Sequence, residues 1–201
     1  MIDWMSIVDE TKNYRWPRKG DRLIRRGQSW PSGEFSDDGT SRHVHIWDGS
    51  MQTGAILIGI CEEDNYQSHS LIYPILSNYR HAIELAMKWV IKQYGRYSTL
   101  VIDDFEHHNL WKLWSMCRQI IIEVGSEDEA MPVVEQIIKD FHDLDKSGQI
   151  FRYPRSKGGT VVRLPDFPID LSNIRDVMQG VAHFFDGVDG QLDAHSSAAE
   201  H

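Results

Sequence analysis

The sequence has few cysteines and no long apolar run. Its 201 residues include two cysteines, Cys61 and Cys117, which lie far apart and form no Cys-x-x-Cys pair. This excludes a disulfide framework and a zinc knuckle, and it favours two buried thiols in a reducing compartment. The longest apolar stretch has seven residues and starts at Ala55, whereas a membrane-spanning helix needs about 20. The sequence therefore predicts a cytoplasmic protein with no membrane partner.

Several sequence motifs of common enzyme classes are also absent. The chain has no Walker phosphate loop, no Gly-x-Gly-x-x-Gly after a strand and no Gly-x-Ser-x-Gly elbow, so it gives no support for a P-loop, dinucleotide-binding or α/β-hydrolase site. The first residues lack the basic start and apolar run of a signal peptide. No cofactor is expected.

Charge is distributed unevenly along the chain. The formal net charge of −9 argues against a protein whose whole surface grips nucleic acid. Residues 15–26 nevertheless carry six basic side chains and one acid, with Trp16 and Trp30 nearby, whereas residues 98–150 hold eleven acids and four bases. This basic segment has two interpretations, namely phosphate contacts with RNA or packing on the acidic part of its own chain or of a partner subunit.

Apolar periodicity predicts an all-α chain. The strongest helical pattern runs from Leu71 to Tyr94, with Pro74 placed in the first turn. Weaker patterns predict helices near residues 51–62, 108–124 and 132–145, the last preceded by a capping box at Ser126-x-x-Glu129. A final helix starts at a cap formed by Asp170 or Ser172. Short links between these helices indicate an antiparallel bundle of four to five helices.

The segments outside these helices set the predicted domain boundaries. Residues 1–50 are interpreted as an irregular N-terminal extension packed on the body, with a short strand over residues 41–47. Residues 51–190 form the predicted bundle, and residues 191–201 form a polar, frayed tail. Residues 146–169 are rich in glycine and proline, which predicts a long loop or small hairpin before the last helix.

Several segments resemble proteins of the HEPN type. The run from Tyr79 to Leu85, followed by Lys88, resembles the second helix of HEPN bundles, and His108-Asn109-Leu110 resembles the start of their next helix. The segments 3–21, 151–154 and 169–171 resemble stand-alone bacterial HEPN-like proteins. The resemblance covers most of the chain and implies an all-α HEPN-like bundle.

The resemblance also implies a function. HEPN proteins are commonly ribonucleases or modules that bind RNA or nucleotides in bacterial antiviral defence and toxin–antitoxin pairs, so a homodimer and a protein partner from the same operon are expected. Their metal-independent endoribonucleases carry Arg, four to six residues and then His on the last helix. Here seven residues separate Arg175 from His183, which places them about 12 Å apart along the helix and roughly 80° apart around it. The motif is not matched, and a non-catalytic dimerising or antitoxin-like module is the alternative to a divergent ribonuclease.

The candidate site combines the strongest helix with His108 and the long loop. Arg80, Glu84 and Lys88 are spaced four residues apart, and their simplest role is an ion-pair ladder. The functional hypothesis adds histidines, because arginine binds phosphate bidentately and histidine exchanges protons near neutral pH. The predicted catalytic residues are Arg80, His81, Glu84 and His108, and the predicted substrate-binding residues are Arg152, Tyr153 and Lys88.

Two further patterns have competing interpretations. Phe151 and Tyr153 are expected either to stack on a base or to plug the end of the bundle. The histidine pairs His43/His45 and His107/His108 invite a zinc hypothesis, but no third ligand follows at metal-ligand spacing. The sequence therefore predicts no metal site.

Overall fold

The computed structural model describes residues 17, 19–24, 33–102, 104–155, 159 and 164–199. All regular elements in these ranges are helical, which confirms the all-α prediction. They are α1 (Gly39–Glu63), α2 (Ser68–Tyr94), α3 (Leu110–Val124), α4 (Met131–Leu144) and α5 (Leu171–Ala199), with short 3-10 turns at Asn65–Gln67 and Gly95–Tyr97. None of these described helices combines the length and apolarity required to cross a bilayer.

The chain divides into two compact units, residues 1–42 and 43–201. In the first unit, the Asp38 carboxylate accepts a hydrogen bond from the Ser41 amide at 2.6 Å and caps the start of α1. The short strand predicted for residues 41–47 is therefore wrong, because these residues form the first turns of α1. Four of the six basic residues of the basic segment, Arg15, Arg18, Arg25 and Arg26, lie outside the described residues.

The second unit is a helical bundle with α2 at its centre. Helix α2 packs against α3 and α5, and α3 in turn packs against α4 and α5. Apolar residues spaced three or four positions apart form the buried stripe that the sequence predicted for α2. Deeply buried members of the core include Ile75, Tyr79, Ile83 and Met87 of α2, Leu113, Trp114, Cys117 and Ile120 of α3, and Met131 and Ile138 of α4.

Helix boundaries differ from the predictions at several points. Helix α2 starts at Ser68, so Pro74 lies inside the helix and not in its first turn. The predicted capping box does not form, because α4 starts after Ala130, with a proline in its first turn. The Asp170 cap is confirmed, since its carboxylate accepts from the Asn173 amide at 3.0 Å.

The last helix is longer than the sequence predicted. Helix α5 runs to Ala199, so the residues assigned to a frayed tail are helical up to that point. Leu192 and Ser196 are buried, and the carbonyl of Val124 lies 3.0 Å from the His195 ring. These contacts explain why the helix continues through a polar sequence. The second arm of the predicted hairpin, residues 160–162, lies outside the described residues.

Gly54 allows α1 to lie close to α2. A Cβ added to Gly54 would lie 2.5–2.8 Å from three ring atoms of Tyr79, whereas one added to Gly59 of the same helix would meet nothing within 4 Å. Since the Tyr79 ring is buried in the core, it cannot move aside freely.

Substitution at these two glycines is expected to change stability in opposite directions. Gly54→Ala should lower the free energy of unfolding by about 1–3 kcal/mol because it overpacks the α1–α2 contact. Gly59→Ala should raise it by about 0.5–1 kcal/mol through helix propensity. Urea denaturation of the two variants measures both effects, and a stabilising Gly54→Ala would contradict the close packing.

Candidate functional site

A buried arginine connects three parts of the bundle. Arg80 of α2 is only 4% exposed. Its Nη1 donates to Glu84 Oε2 at 3.2 Å, its Nε to the Asp145 carbonyl at 3.2 Å, and its Nη2 to the His108 carbonyl at 2.7 Å. The guanidinium therefore ties α2 to the end of α4 and to the segment before α3. The prediction that Arg80 holds a phosphate has no geometric support, because its donors are engaged inside the protein.

Asp145 completes the inner side of this network, and the sequence prediction did not include it. The residue is 1% exposed, and its Oδ2 lies 3.7 Å from Arg80 Nε. The carboxylate also accepts the amides of Ser147, Gln149 and Ile150, each at 3.1 Å. An aspartate at the end of a helix, followed by a Ser-Gly turn, is the sequence signal that could have identified this role.

The turn held by Asp145 lies against the arginine. Gly148 has a φ of +72°, and a Cβ there would come within 3.0 Å of Arg80 Nη1. A glycine is therefore required both by the backbone conformation and by the space. The Gly148 carbonyl accepts a hydrogen bond from Arg152 Nη2, so this turn also places the exposed arginine of the loop.

Glu84 joins the buried arginine to the surface. Its Oε1 accepts from His108 Nδ1 at 2.8 Å and lies 3.1 Å from Lys88 Nζ, and the Glu84 side chain is 4% exposed. Burial opposes ionisation of Glu84, but the hydrogen bond from His108 and the charge of Lys88 outweigh it and hold the pKa of the carboxyl below its usual value. Glu84 is therefore ionised at neutral pH.

His108 is held by this carboxylate while its ring remains at the surface. The side chain is 61% exposed. Because an ionised carboxylate only accepts hydrogen bonds, the proton of the Nδ1···Oε1 contact belongs to Nδ1. This fixes the tautomer and leaves Nε2 as the nitrogen available to a ligand. A carboxylate that orients an exposed imidazole in this way is typical of general acid–base sites.

Exposed side chains next to His108 form the outer layer of the site. His81 is exposed, and its pKa lies below the ordinary value chiefly because of desolvation, with Arg152, Lys88 and His108 close enough to lower it further and Glu84 opposing them. Arg152 is exposed, whereas Lys88 is mostly buried between Glu84 and Glu106. We call His81, His108 and Arg152 the outer triad.

The aromatic residues of the loop divide between the two interpretations that the sequence allowed. Phe151 is buried and belongs to the core, so it plugs the bundle. Tyr153, two residues later, is 57% exposed, which leaves its ring accessible for stacking. The structure thus keeps one of the two rings at the surface.

The zinc hypothesis finds no support in the geometry. His43 and His45 lie on α1, where a separation of two residues directs side chains about 200° apart, and the Leu85 carbonyl lies 3.0 Å from His43 Nε2. Within the described ranges no group of three or more histidine, cysteine, aspartate or glutamate residues could hold a metal ion.

Arg175 of α5, the arginine compared above with the HEPN-type Arg…His motif, pairs with Glu62 at 2.7 Å.

A comparison of the chain with protein-family models, curated proteins and solved structures finds no match. The resemblance to HEPN proteins therefore rests on the residues quoted above. The features of the described structure that bear on function are the outer triad and the buried Arg80, Glu84 and Asp145 behind it.

Proposed function

We propose that the chain binds RNA or a nucleotide through a phosphate at the outer triad, and that it is a divergent, metal-independent endoribonuclease of HEPN-like type. The observation that carries this proposal is the hydrogen bond between buried, ionised Glu84 and exposed His108. Such an orienting carboxylate has a purpose in catalysis, since it fixes the tautomer and stabilises the imidazolium that forms. The proposal includes a cytoplasmic homodimer in bacterial defence, with a protein partner from the same operon.

The proposed reaction uses the two histidines in complementary roles. His108 Nε2 removes the proton of the ribose 2′-hydroxyl, whose oxygen then forms a bond to phosphorus. His81, in the protonated form that it takes in the acidic range below pH 6.5, donates a proton to the 5′-oxygen as its bond to phosphorus breaks, so that charge and protons balance. General acid–base catalysis of this kind contributes about 10²–10⁴-fold in rate. Glu84 acts as a positioning residue, because it touches only protein groups.

Recognition of the substrate is assigned to the loop. Arg152 is the exposed cation of the triad, and its guanidinium suits the two oxygens of a phosphate. Tyr153 offers a ring on which an unpaired base stacks. Lys88 contributes positive charge without direct contact, since Glu84 and Glu106 flank its amine. The substrate class is therefore single-stranded RNA or a nucleotide.

Arg152→Ala is expected to weaken binding of a short single-stranded RNA at least tenfold, because a hydrogen bond to a charged group is worth about 1.5–3 kcal/mol. Arg155→Ala is the matched control, since Arg155 is an exposed arginine of the same loop that donates to the Gly159 carbonyl. Fluorescence anisotropy of both variants measures the difference. Equal affinities would remove Arg152 from the binding site.

Phosphate affinity is expected to rise as the pH falls below 6.5. Because the pKa of His81 lies below its ordinary value of 6.5, this histidine gains its charge only in that acidic range and is neutral above it. In His81→Ala the increase in phosphate affinity at acidic pH should be smaller than in the wild type, while His45→Ala should leave it unchanged. Measurement of the phosphate affinity between pH 5 and pH 8 shows whether it rises or falls with acidity.

The burial of Arg80 and the hydrogen bond from each of its three nitrogens favour a second candidate function. Its three hydrogen bonds end on protein groups, as expected if the polar cluster serves only to hold the bundle together. The chain would then be a non-catalytic dimerising or antitoxin-like module. Folded wild-type protein that neither binds nor cleaves RNA, together with strong destabilisation by substitutions at Arg80, would support this candidate over the first.

A further inference from the structure

A second concave feature lies apart from the outer triad. A cavity of about 760 Å³ is formed by the end of α1, the start of α2 and the segment that precedes α5. Its volume falls in the range of about 300–1,000 Å³ that is typical of small-molecule sites. None of the three residues of the outer triad lines it, so the phosphate proposal does not account for it.

The interior of this cavity is largely apolar. Ile58, Leu76 and Phe151 are buried residues of the core that line it. The segment before α5 adds two prolines, two aliphatic side chains and the ring of Phe167. An apolar molecule that enters the cavity exchanges water for these side chains, which favours binding.

The polar lining of the cavity contains two carboxylates, Glu62 and Asp170, together with the imidazole of His69 and uncharged groups such as Asn65 and Ser68. The Glu62 carboxylate accepts from Ser172 Oγ at 2.8 Å and pairs with Arg175 at 2.7 Å. Asp170 is an exposed residue of the lining, which we call the rim carboxylate. Its Oδ1 accepts from the Asn173 amide in the first turn of α5, and its Oδ2 makes no hydrogen bond to the described residues. Among the described residues that line the cavity none is lysine or arginine. With Arg175 counted and the His69 imidazole neutral, the two carboxylates leave one excess negative charge.

We propose that this cavity binds a small molecule with an apolar body and a protonated amine. The apolar walls take the body, and the Asp170 carboxylate at the rim accepts the ammonium group. An anionic molecule of the same shape is disfavoured, because it meets uncompensated negative charge. A neutral molecule of the same shape binds mainly through the apolar walls, because it brings no charge to the carboxylate.

Three probes of equal chain length test this assignment by isothermal titration calorimetry on the full chain. These are n-octylamine, n-octanol and n-octanoate. The amine is expected to bind at one site per chain and more tightly than the alcohol, with the carboxylate weakest. Ile72→Trp places a larger side chain in the cavity wall and should abolish binding of all three. Arg152→Ala should leave binding unchanged, which separates this cavity from the phosphate site.

Replacement of Asp170 measures how much its charge contributes to binding of the amine. Asp170→Asn keeps a good helix cap but removes the charge, and it should weaken octylamine binding about three- to fivefold while octanol binding stays the same. Asp166→Asn, an exposed aspartate of the same segment that does not line the cavity, is the control and should have no effect. The assignment is overturned if no probe binds saturably, if octanoate binds as tightly as octylamine, or if both aspartate variants behave alike.

Discussion

Replacement of Arg80 by methionine is expected to lower the free energy of unfolding by about 3–5 kcal/mol. Methionine fills much of the same space, so the loss reflects charge rather than a cavity. Glu84 and Asp145 are both buried and would lose their shared cation. Glu84 keeps its ion pair with Lys88, so the loss falls chiefly on Asp145, and a buried charge left without its partner costs about that much. Urea denaturation at pH 7 measures the change.

Arg175→Met is the matched control for this prediction. Arg175 also pairs with a carboxylate, at 2.7 Å from Glu62, but both side chains are partly exposed. An exposed ion pair contributes about 0–1 kcal/mol, so a much smaller loss is expected. If the two methionine variants lose the same amount, the Arg80 network does not hold the bundle together.

The contribution of Glu84 to stability is also expected to depend on pH. The pKa of Glu84 lies below its ordinary value of 4.5 in the folded protein, because the hydrogen bond from His108 and the charge of Lys88 outweigh burial. Its ionised form therefore stabilises the wild type fully above pH 4.5, and this contribution disappears as the pH falls further. Lys88→Met removes one of the two causes of the lowered pKa. The difference in stability between wild type and Lys88→Met should therefore be smaller at pH 4 than at pH 7.

His108→Ala is expected to reduce RNA cleavage by about 10²–10⁴-fold, because it removes the proposed general base. Stability should change little, since the ring is mostly exposed and Glu84 keeps its contacts with Arg80 and Lys88. Affinity for RNA should fall much less than the rate, because Arg152 remains in place. Single-turnover cleavage of a short single-stranded RNA separates these effects.

His107→Ala provides the control at the neighbouring position. The His107 ring accepts a hydrogen bond from the Asn109 amide at 3.3 Å and has no contact with Glu84 in the described structure. Cleavage by this variant should stay near the wild-type rate. Equal losses at the two positions would point to a disturbed segment before α3 and would remove His108 from its proposed role.

Part of the site could be predicted from the sequence because it is local. The spacing of Arg80, Glu84 and Lys88 predicts contacts along one helix, and both contacts with Glu84 form. The approach of His108 followed from the packing of successive helices. The burial of Arg80 could not be predicted, because it depends on the carbonyl groups of residues 108 and 145, which are distant in sequence.

The missed features depend on contacts that are distant in sequence or on backbone conformation. Asp145 meets Arg80 across 65 positions, and periodicity carries no information on such pairs. Gly148 matters through its positive φ and its contact with the guanidinium. The last turns of α5 are helical because Leu192 is buried. The polar residues around Leu192 hide this from a reading of the sequence.

The most direct test of the phosphate proposal is a titration of the chain with uridine 3′-monophosphate, followed through the imidazole signals in ¹H–¹⁵N correlation spectra. The structure predicts that His108 carries its proton on Nδ1 when neutral. The nucleotide should shift the signals of His81 and His108 and leave those of His45 and His69 unchanged. If the His81 and His108 signals stay in place at saturating nucleotide, the outer triad is not a phosphate site.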